Sequence, residues 1–201
     1  MNLKEQNLTD EDMEIVIEKA IISKKCSELH LQNNKITSNG ALTIASGLKN
    51  NITLQKLWLD SNNISDIGVH SLAKILSENN SSLKMLGLNS NSITDEGARH
   101  LAEMLKINKI LTFLRLTHNS LTDQGVQYLA NALTHHNNIF ESIDLSSNKF
   151  ITDLSIDYLV QMIIRNQRLS SLSLSNCGLS EDGKQRFRTM GQAKYGFKLS
   201  L

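Results

Sequence analysis

Apolar and polar positions along this chain repeat with a period of 28 or 29 residues. One phrase recurs as CSELHLQNNKI from Cys26, LQKLWLDSNNI from Leu54, LKMLGLNSNSI from Leu83, LTFLRLTHNSL from Leu111, FESIDLSSNKF from Phe140 and LSSLSLSNCGL from Leu169. Its first, fourth and sixth positions are apolar or nearly so. In an extended chain alternate side chains share a face, so Leu57 and Leu59 point one way and Trp58, between them, points the other. A second phrase follows each of the first five copies: SNGALTIASGL at Ser38, SDIGVHSLAKIL at Ser65, TDEGARHLAEML at Thr94, TDQGVQYLANAL at Thr122 and TDLSIDYLVQMI at Thr152. There a Ser or Thr can accept a hydrogen bond from a free first-turn amide. The adjacent Asp faces the positive end of the helix dipole, and apolar residues then recur at helical spacing. The unit is therefore strand, turn, helix. The Asn at the ninth position of the strand phrase, Asn34, Asn62, Asn91, Asn119 and Asn148, predicts a stacked ladder of buried amides satisfying main-chain groups at the strand exit.

These phrases resemble the LxxLxLxxN(x)L motif of leucine-rich-repeat proteins. The long period with a full helix per repeat is similar to the ribonuclease-inhibitor type. That subtype also supplies the recognition domains of NOD-like receptors, the Ran GTPase-activating protein and effectors that intracellular bacteria inject into host cells. The resemblance implies an α/β solenoid, a right-handed horseshoe arc with a parallel sheet on the concave side and helices on the convex side. We expect a single domain over 1–201, with an N-terminal helical cap at 1–25, six repeats of 28 or 29 residues at 26–183, and a helix and strand cap at 184–201, because solenoids must close their ends. Repeat five carries an extra residue near Phe150 and puts Ser155 where its neighbours have Gly68, Gly97 and Gly125, so its turn should be distorted. Repeat six has Cys177 in the Asn place.

In such an arc the outward strand positions form a concave lattice. It runs Glu28, His30, Gln32; Lys56, Trp58, Asp60; Met85, Gly87, Asn89; Phe113, Arg115, Thr117; Ser142, Asp144, Ser146; and Ser171, Ser173, Ser175. With strands about 4.8 Å apart, Trp58 and Phe113 should lie roughly 10 Å from each other, with Met85 and a bare notch at Gly87 between them. The only Trp of the chain and one of its five Phe thus fall on positions expected to face water. Aromatics, Met and Arg are the types enriched at interface hot spots. We therefore expect Trp58, Met85, Phe113 and Arg115 to anchor a partner, with His30, Lys56, Asp60 and Asp144 at the rim. The plain alternative is that these are isolated exposed apolars and that Arg115 simply pairs with Asp144 on the next rung.

Composition adds limits. Among the 201 residues 31 are Leu and none is Pro, and 21 Lys and Arg balance 20 Asp and Glu, so no global field recommends nucleic acid or an anionic membrane. No apolar run approaches the roughly 18 residues needed to span a bilayer. The first residues carry acids where a secretory signal would be basic and then apolar, and Cys26 and Cys177 are too few for a disulfide scaffold. Both features point to the cytoplasm, or to a host cytosol for an injected effector. The Asn-x-Ser/Thr triplets at Asn7, Asn51, Asn63, Asn79 and Asn80 are then chance.

Chemical motifs are weak. GLSEDGK, from Gly178 to Lys184, matches the phosphate loop until Gln185 takes the place of the magnesium-binding Ser or Thr, and its acids would repel phosphate. His135 and His136 are adjacent, which does not by itself place both on one metal, and neither HExxH nor CxxC occurs. The expectation is a non-catalytic, cofactor-free monomer that binds a protein or peptide on its concave face. The alternative is a GTPase-activating regulator resembling the Ran GTPase-activating protein, although that family has about twice as many repeats and an acidic tail.

Overall fold

The structure is a computed structural model that describes residues 1–78, 82–191 and 194–201. The Asn79 and Asn80 triplets lie outside the described residues. Seven short strands, β1 (Glu28–His30), β2 (Lys56–Trp58), β3 (Met85–Gly87), β4 (Phe113–Arg115), β5 (Ser142–Asp144), β6 (Ser171–Ser173) and β7 (Lys198–Ser200), pair in chain order into one parallel sheet. Between them run α2 (Ser38–Leu48), α3 (Ser65–Glu78), α4 (Asp95–Ile107), α5 (Asp123–His135), α6 (Ile156–Arg165) and α7 (Glu181–Gly191), with α1 (Met13–Ile17) before β1. The register aligns the central residue of each strand, Leu29, Leu57, Leu86, Leu114, Ile143 and Leu172, and each of these six is buried. Helix residues such as Ile44, Leu72, Leu101, Leu129 and Leu159 close the core from the other side. None of the helices among the described residues is long and apolar enough to cross a membrane.

The Asn ladder forms, with Asn62, Asn91 and Asn148 buried as expected and Asn34 and Asn119 half-buried. Asn62 donates through Nδ2 to the carbonyls of Leu31 and Leu59, both at 2.9 Å, and accepts the Ile36 amide at 3.1 Å. Asn91, Asn119 and Asn148 repeat the arrangement one rung further each time. The residue just before each ladder position, Asn33, Ser61, Ser90, His118, Ser147 or Asn176, has a φ between 51° and 60°. That left-handed step turns the chain off the strand. In repeat six the Cys177 thiol reaches the Leu145 carbonyl at 3.4 Å, a weaker version of the same contact.

The Asp of the helix phrase does something the dipole argument did not anticipate. Instead of serving its own helix alone, it bonds the start of the next one. Asp66 accepts the Thr94 amide at 2.8 Å, the Thr94 hydroxyl at 2.7 Å and the Gly97 amide at 2.9 Å, and Asp95 does the same for Thr122 and Gly125. A Cβ at Gly97 or Gly125 would sit 2.4 Å from that carboxylate, so the glycine of the phrase makes room for a staple between repeats. Where repeat five has Ser155, the serine hydroxyl donates to Asp123, and the helix begins with a tight 3-10 turn over Asp153–Ser155. The distortion expected there is thus a change of donor.

Ahead of β1 the chain adds a rung to the expected helical cap. Asn2 bridges His30 in parallel, with the Leu3 amide on the His30 carbonyl at 2.8 Å and the His30 amide on the Met1 carbonyl at 2.9 Å. Asp10 then staples Thr37 as its counterparts do in the later repeats.

Candidate functional site

The parallel register fixes which side chains meet on the concave face. Glu28, Lys56, Met85, Phe113, Ser142 and Ser171 form one row, and His30, Trp58, Gly87, Arg115, Asp144 and Ser173 form the next. Seven of the eight predicted site residues therefore lie in these two rows, and the eighth, Asp60, sits beside Gly87 just past the end of β2. The face divides into a charged patch over β1 and β2, an aromatic cluster over β2 to β4, and a hydroxyl-rich strip over β5 and β6.

The aromatic cluster corrects the expectation of an exposed indole. Trp58 points away from the leucine core, as the alternation requires, yet it is only 9% exposed. Its ring lies over Gly87, where a Cβ would meet Cε3 at 2.6 Å, so the expected notch is the bed of the indole. The Phe113 ring meets it edge-on with centroids 6.3 Å apart, nearer than strand spacing alone suggested, because both side chains lean across the bare rung. His30 stacks on the opposite side at 6.4 Å. The Arg115 guanidinium stands 5.2 Å from both the Trp58 and the Phe113 ring centroids. Such cation–π contacts are worth on the order of 1 kcal/mol each at partly exposed sites. Met85 and Phe113 are half-buried, and Arg115 is exposed.

Arg115 does not take the plain alternative of pairing with Asp144. Among the described residues no carboxylate lies within ion-pair distance of its guanidinium, and Asp144 instead accepts the Ser146 amide at 3.0 Å. At the other end of the face Lys56 bridges to Glu28, and His30 approaches the same carboxylate at 3.4 Å. The Lys56 ammonium holds the Glu28 carboxyl below its usual range.

Asp60 is the half-buried acid of the cluster, beside Gly87 and Trp58, and accepts the Asn89 amide at 3.0 Å. Desolvation by burial raises its pKa, against the pull of that amide and of Arg115. The folded chain therefore holds this proton more tightly than the unfolded chain. Ionisation costs stability above the raised pKa, and the cost fades as pH falls through it. Asp60→Asn should accordingly raise the melting temperature at neutral pH, with the gap to wild type closing on acidification through the carboxylate range. Thermal denaturation by circular dichroism across pH 3 to 8 reads this. An unchanged or lowered melting temperature at pH 7 would show that the carboxylate stabilises the fold instead.

Other sequence candidates resolve into structure. In GLSEDGK the Gly183 amide donates to Ser180 at 2.9 Å, and a Cβ at Gly178 would strike the Lys149 carbonyl at 2.5 Å, so both glycines serve the repeat. Burial pushes the Cys177 thiol up to about 11, away from the range of an activated nucleophile. The sequence reading missed a second Asn row at the helix-to-strand return. Asn108, Asn137 and Asn166 are buried and each donates back to the preceding repeat, Asn108 to the Leu76 carbonyl at 2.8 Å. Its signal is plain in retrospect: Asn51, Asn108, Asn137 and Asn166 each stand three residues before the strand phrase. The Asn51 triplet is spoken for in this way, its side chain accepting the Thr53 and Leu54 amides.

Comparison with known proteins agrees with this geometry. A family model described as a leucine-rich repeat matches residues 27–45, 50–73, 79–102 and 108–130. No curated protein sequence matches the chain. Among solved structures it is similar to one titled leiomodin-1 actin-binding site 2, with a TM-score of 0.65 at 20% identity over 92% of this chain and 97% of that one. Four family matches, each covering one strand and the first turns of the helix after it, and a sheet that carries the same phrase through two more rungs in unbroken register, give this chain the leucine-rich-repeat solenoid fold.

Proposed function

We propose that this chain is a non-catalytic interaction module that holds a protein partner on its concave sheet, with the Arg115, Trp58 and Phe113 cluster as its anchor. The observation that carries the reading is the exposed Arg115 guanidinium, 5.2 Å from two aromatic ring centroids and with no ion-pair partner among the described residues. A preorganised arginine loses little side-chain freedom on binding, and Arg and aromatic residues dominate interface energetics. Met85 joins the anchor from the adjoining row, and His30, Lys56, Asp60 and Asp144 surround it as rim.

The period of 28 or 29 residues and helices of 11 to 14 residues in α2 to α5 support the ribonuclease-inhibitor subtype. Resemblance to injected bacterial effectors supports a host cytosol as the place of work, which a translocation-reporter fusion tests. The leiomodin-1 neighbour is described as actin-binding, so actin is the first partner to try, by co-sedimentation with filaments and calorimetry with monomers. For whichever partner binds, Arg115→Ala should weaken affinity by roughly 30-fold or more, the scale of a hot-spot truncation, while Gln127→Ala on the convex face leaves it unchanged. Equal affinity of the wild type and Arg115→Ala would rule out this face. Stimulated GTP hydrolysis by small GTPases, persisting in Arg115→Ala, would favour the regulator alternative.

A further inference from the structure

On the convex side, remote from the concave cluster, two imidazoles meet between adjacent helices. His70 of α3 and His100 of α4 place their Nδ1 atoms 3.2 Å apart, with ring centroids at 4.3 Å and planes inclined by 62°. Two imidazole nitrogens bound to one tetrahedral zinc at about 2.0–2.1 Å are separated by roughly 3.3 Å. The far nitrogen of His100, Nε2, lies 3.1 Å from the Glu96 carboxylate one turn earlier, and Glu96 is itself fixed by Arg99 Nε at 3.0 Å. A carboxylate on one nitrogen of a histidine holds the proton there and leaves the other nitrogen's lone pair for a metal. An open depression of about 300 Å³, bordered by Asp66, Ile67, His70, Glu96 and His100, gives water room to complete a coordination shell.

We propose that His70 and His100 form a binding site for a divalent transition metal that favours imidazole nitrogen, zinc foremost, with Glu96 as the residue that orients His100. Neither the repeat architecture nor the concave-face reading uses these side chains. Burial, and then the charge of His70, hold the His100 pKa below the ordinary histidine range. Asp66 is not a ligand, because its carboxylate is committed to Thr94 and Gly97. Among the described residues no group of three or more His, Cys, Asp or Glu converges, so the site offers two protein ligands and water. Such a site binds more weakly than a closed structural one and clips α3 to α4 when filled. Arg99 on one side and Lys74 on the other set the opposing positive charge.

The test is calorimetric titration of zinc chloride into the full chain at pH 7.5 in a non-chelating buffer. One equivalent should bind. His70→Ala and His100→Ala should each weaken it at least tenfold, Glu96→Gln by about tenfold, and the double change His135→Ala with His136→Ala should leave it unaltered. Binding should weaken on acidification, because protons compete with the metal for imidazole nitrogen. Imidazole ¹⁵N resonances of the wild type supply a readout that needs no substitution: zinc should move the Nδ1 signals of both histidines. Absence of zinc binding, or affinity unchanged in His70→Ala, or ¹⁵N signals of a shared N–H···N bond that persist when zinc is added, would each overturn the proposal and leave a hydrogen-bonded pair.

Discussion

Replacing Asn148 with alanine should destabilise the chain by about 3 kcal/mol or more, at the upper end of what single substitutions do. Asn148 is fully buried, and its amide donates to the Leu116 carbonyl at 2.9 Å and the Leu145 carbonyl at 2.8 Å while accepting the Leu121 amide at 3.1 Å. Alanine removes all three partners and offers no path for water. Each buried main-chain group left unpaired costs about 1–3 kcal/mol. For a protein of this size, about 2–4 °C of melting temperature is lost per kcal/mol, so the midpoint should fall by roughly 10 °C. Asn148→Asp should do no better, since it keeps the acceptor, loses both donated bonds and buries a charge among carbonyl oxygens. Asn34→Ala is the internal control. Asn34 makes the equivalent bonds to Leu3 and Leu31 but is only half-buried at the first rung, where solvent can reach the freed carbonyls. Its loss should be less than half as large. Equal losses at the two positions, read by urea or thermal denaturation, would mean that burial along the ladder is not what makes it matter.

The fold was legible because its determinants are local and periodic. Leu57 and Leu59 had to share a face, Thr94 and Thr122 had to cap, and Asn62 and Asn91 had to lie where the chain leaves the strand; each follows from residue type and spacing alone. The staple from Asp66 to Thr94 and Gly97 was not legible in the same way. Within one repeat an Asp beside the capping Thr is fully explained by the helix dipole, and only stacking shows that its carboxylate reaches the neighbour. Gly97 carried the hint, since a glycine in the first turn of a helix costs stability unless something needs the space. The second Asn row escaped notice for a different reason: Asn is so common in this chain that Asn108 and Asn137 read as surface composition. At the candidate site the lattice positions were correct because they depend on the two-residue period of a strand. Exposure was wrong for Trp58 because it depends on what the neighbours do with their side chains. Gly87 was read as an empty place, whereas a missing Cβ next to a large ring is an invitation for the ring to lie down.

That reversal sets the last expectation. The indole of Trp58 should emit at short wavelength and resist quenching by iodide, since it is covered by His30, Phe113, Arg115 and the Gly87 backbone. Gly87→Val should undo this. Its Cβ would arrive 2.6 Å from Cε3 of the indole and 2.9 Å from the Asp60 carboxylate, so the ring must lift toward solvent. Emission should shift red and quenching should rise, with the leucine core intact. Trp58→Ala should cost about 2 kcal/mol, less than the roughly 3–5 kcal/mol of a core aromatic, because the indole lies outside the core and the space it leaves opens to water. The partner contacts follow the same geometry. A ring this covered acts as the floor on which Arg115 and Phe113 are held, so Trp58→Phe, which keeps a floor, should preserve binding that Arg115→Ala weakens. If Trp58→Phe and Arg115→Ala weaken a partner equally, the indole touches that partner directly, and the cluster must open on binding to release it.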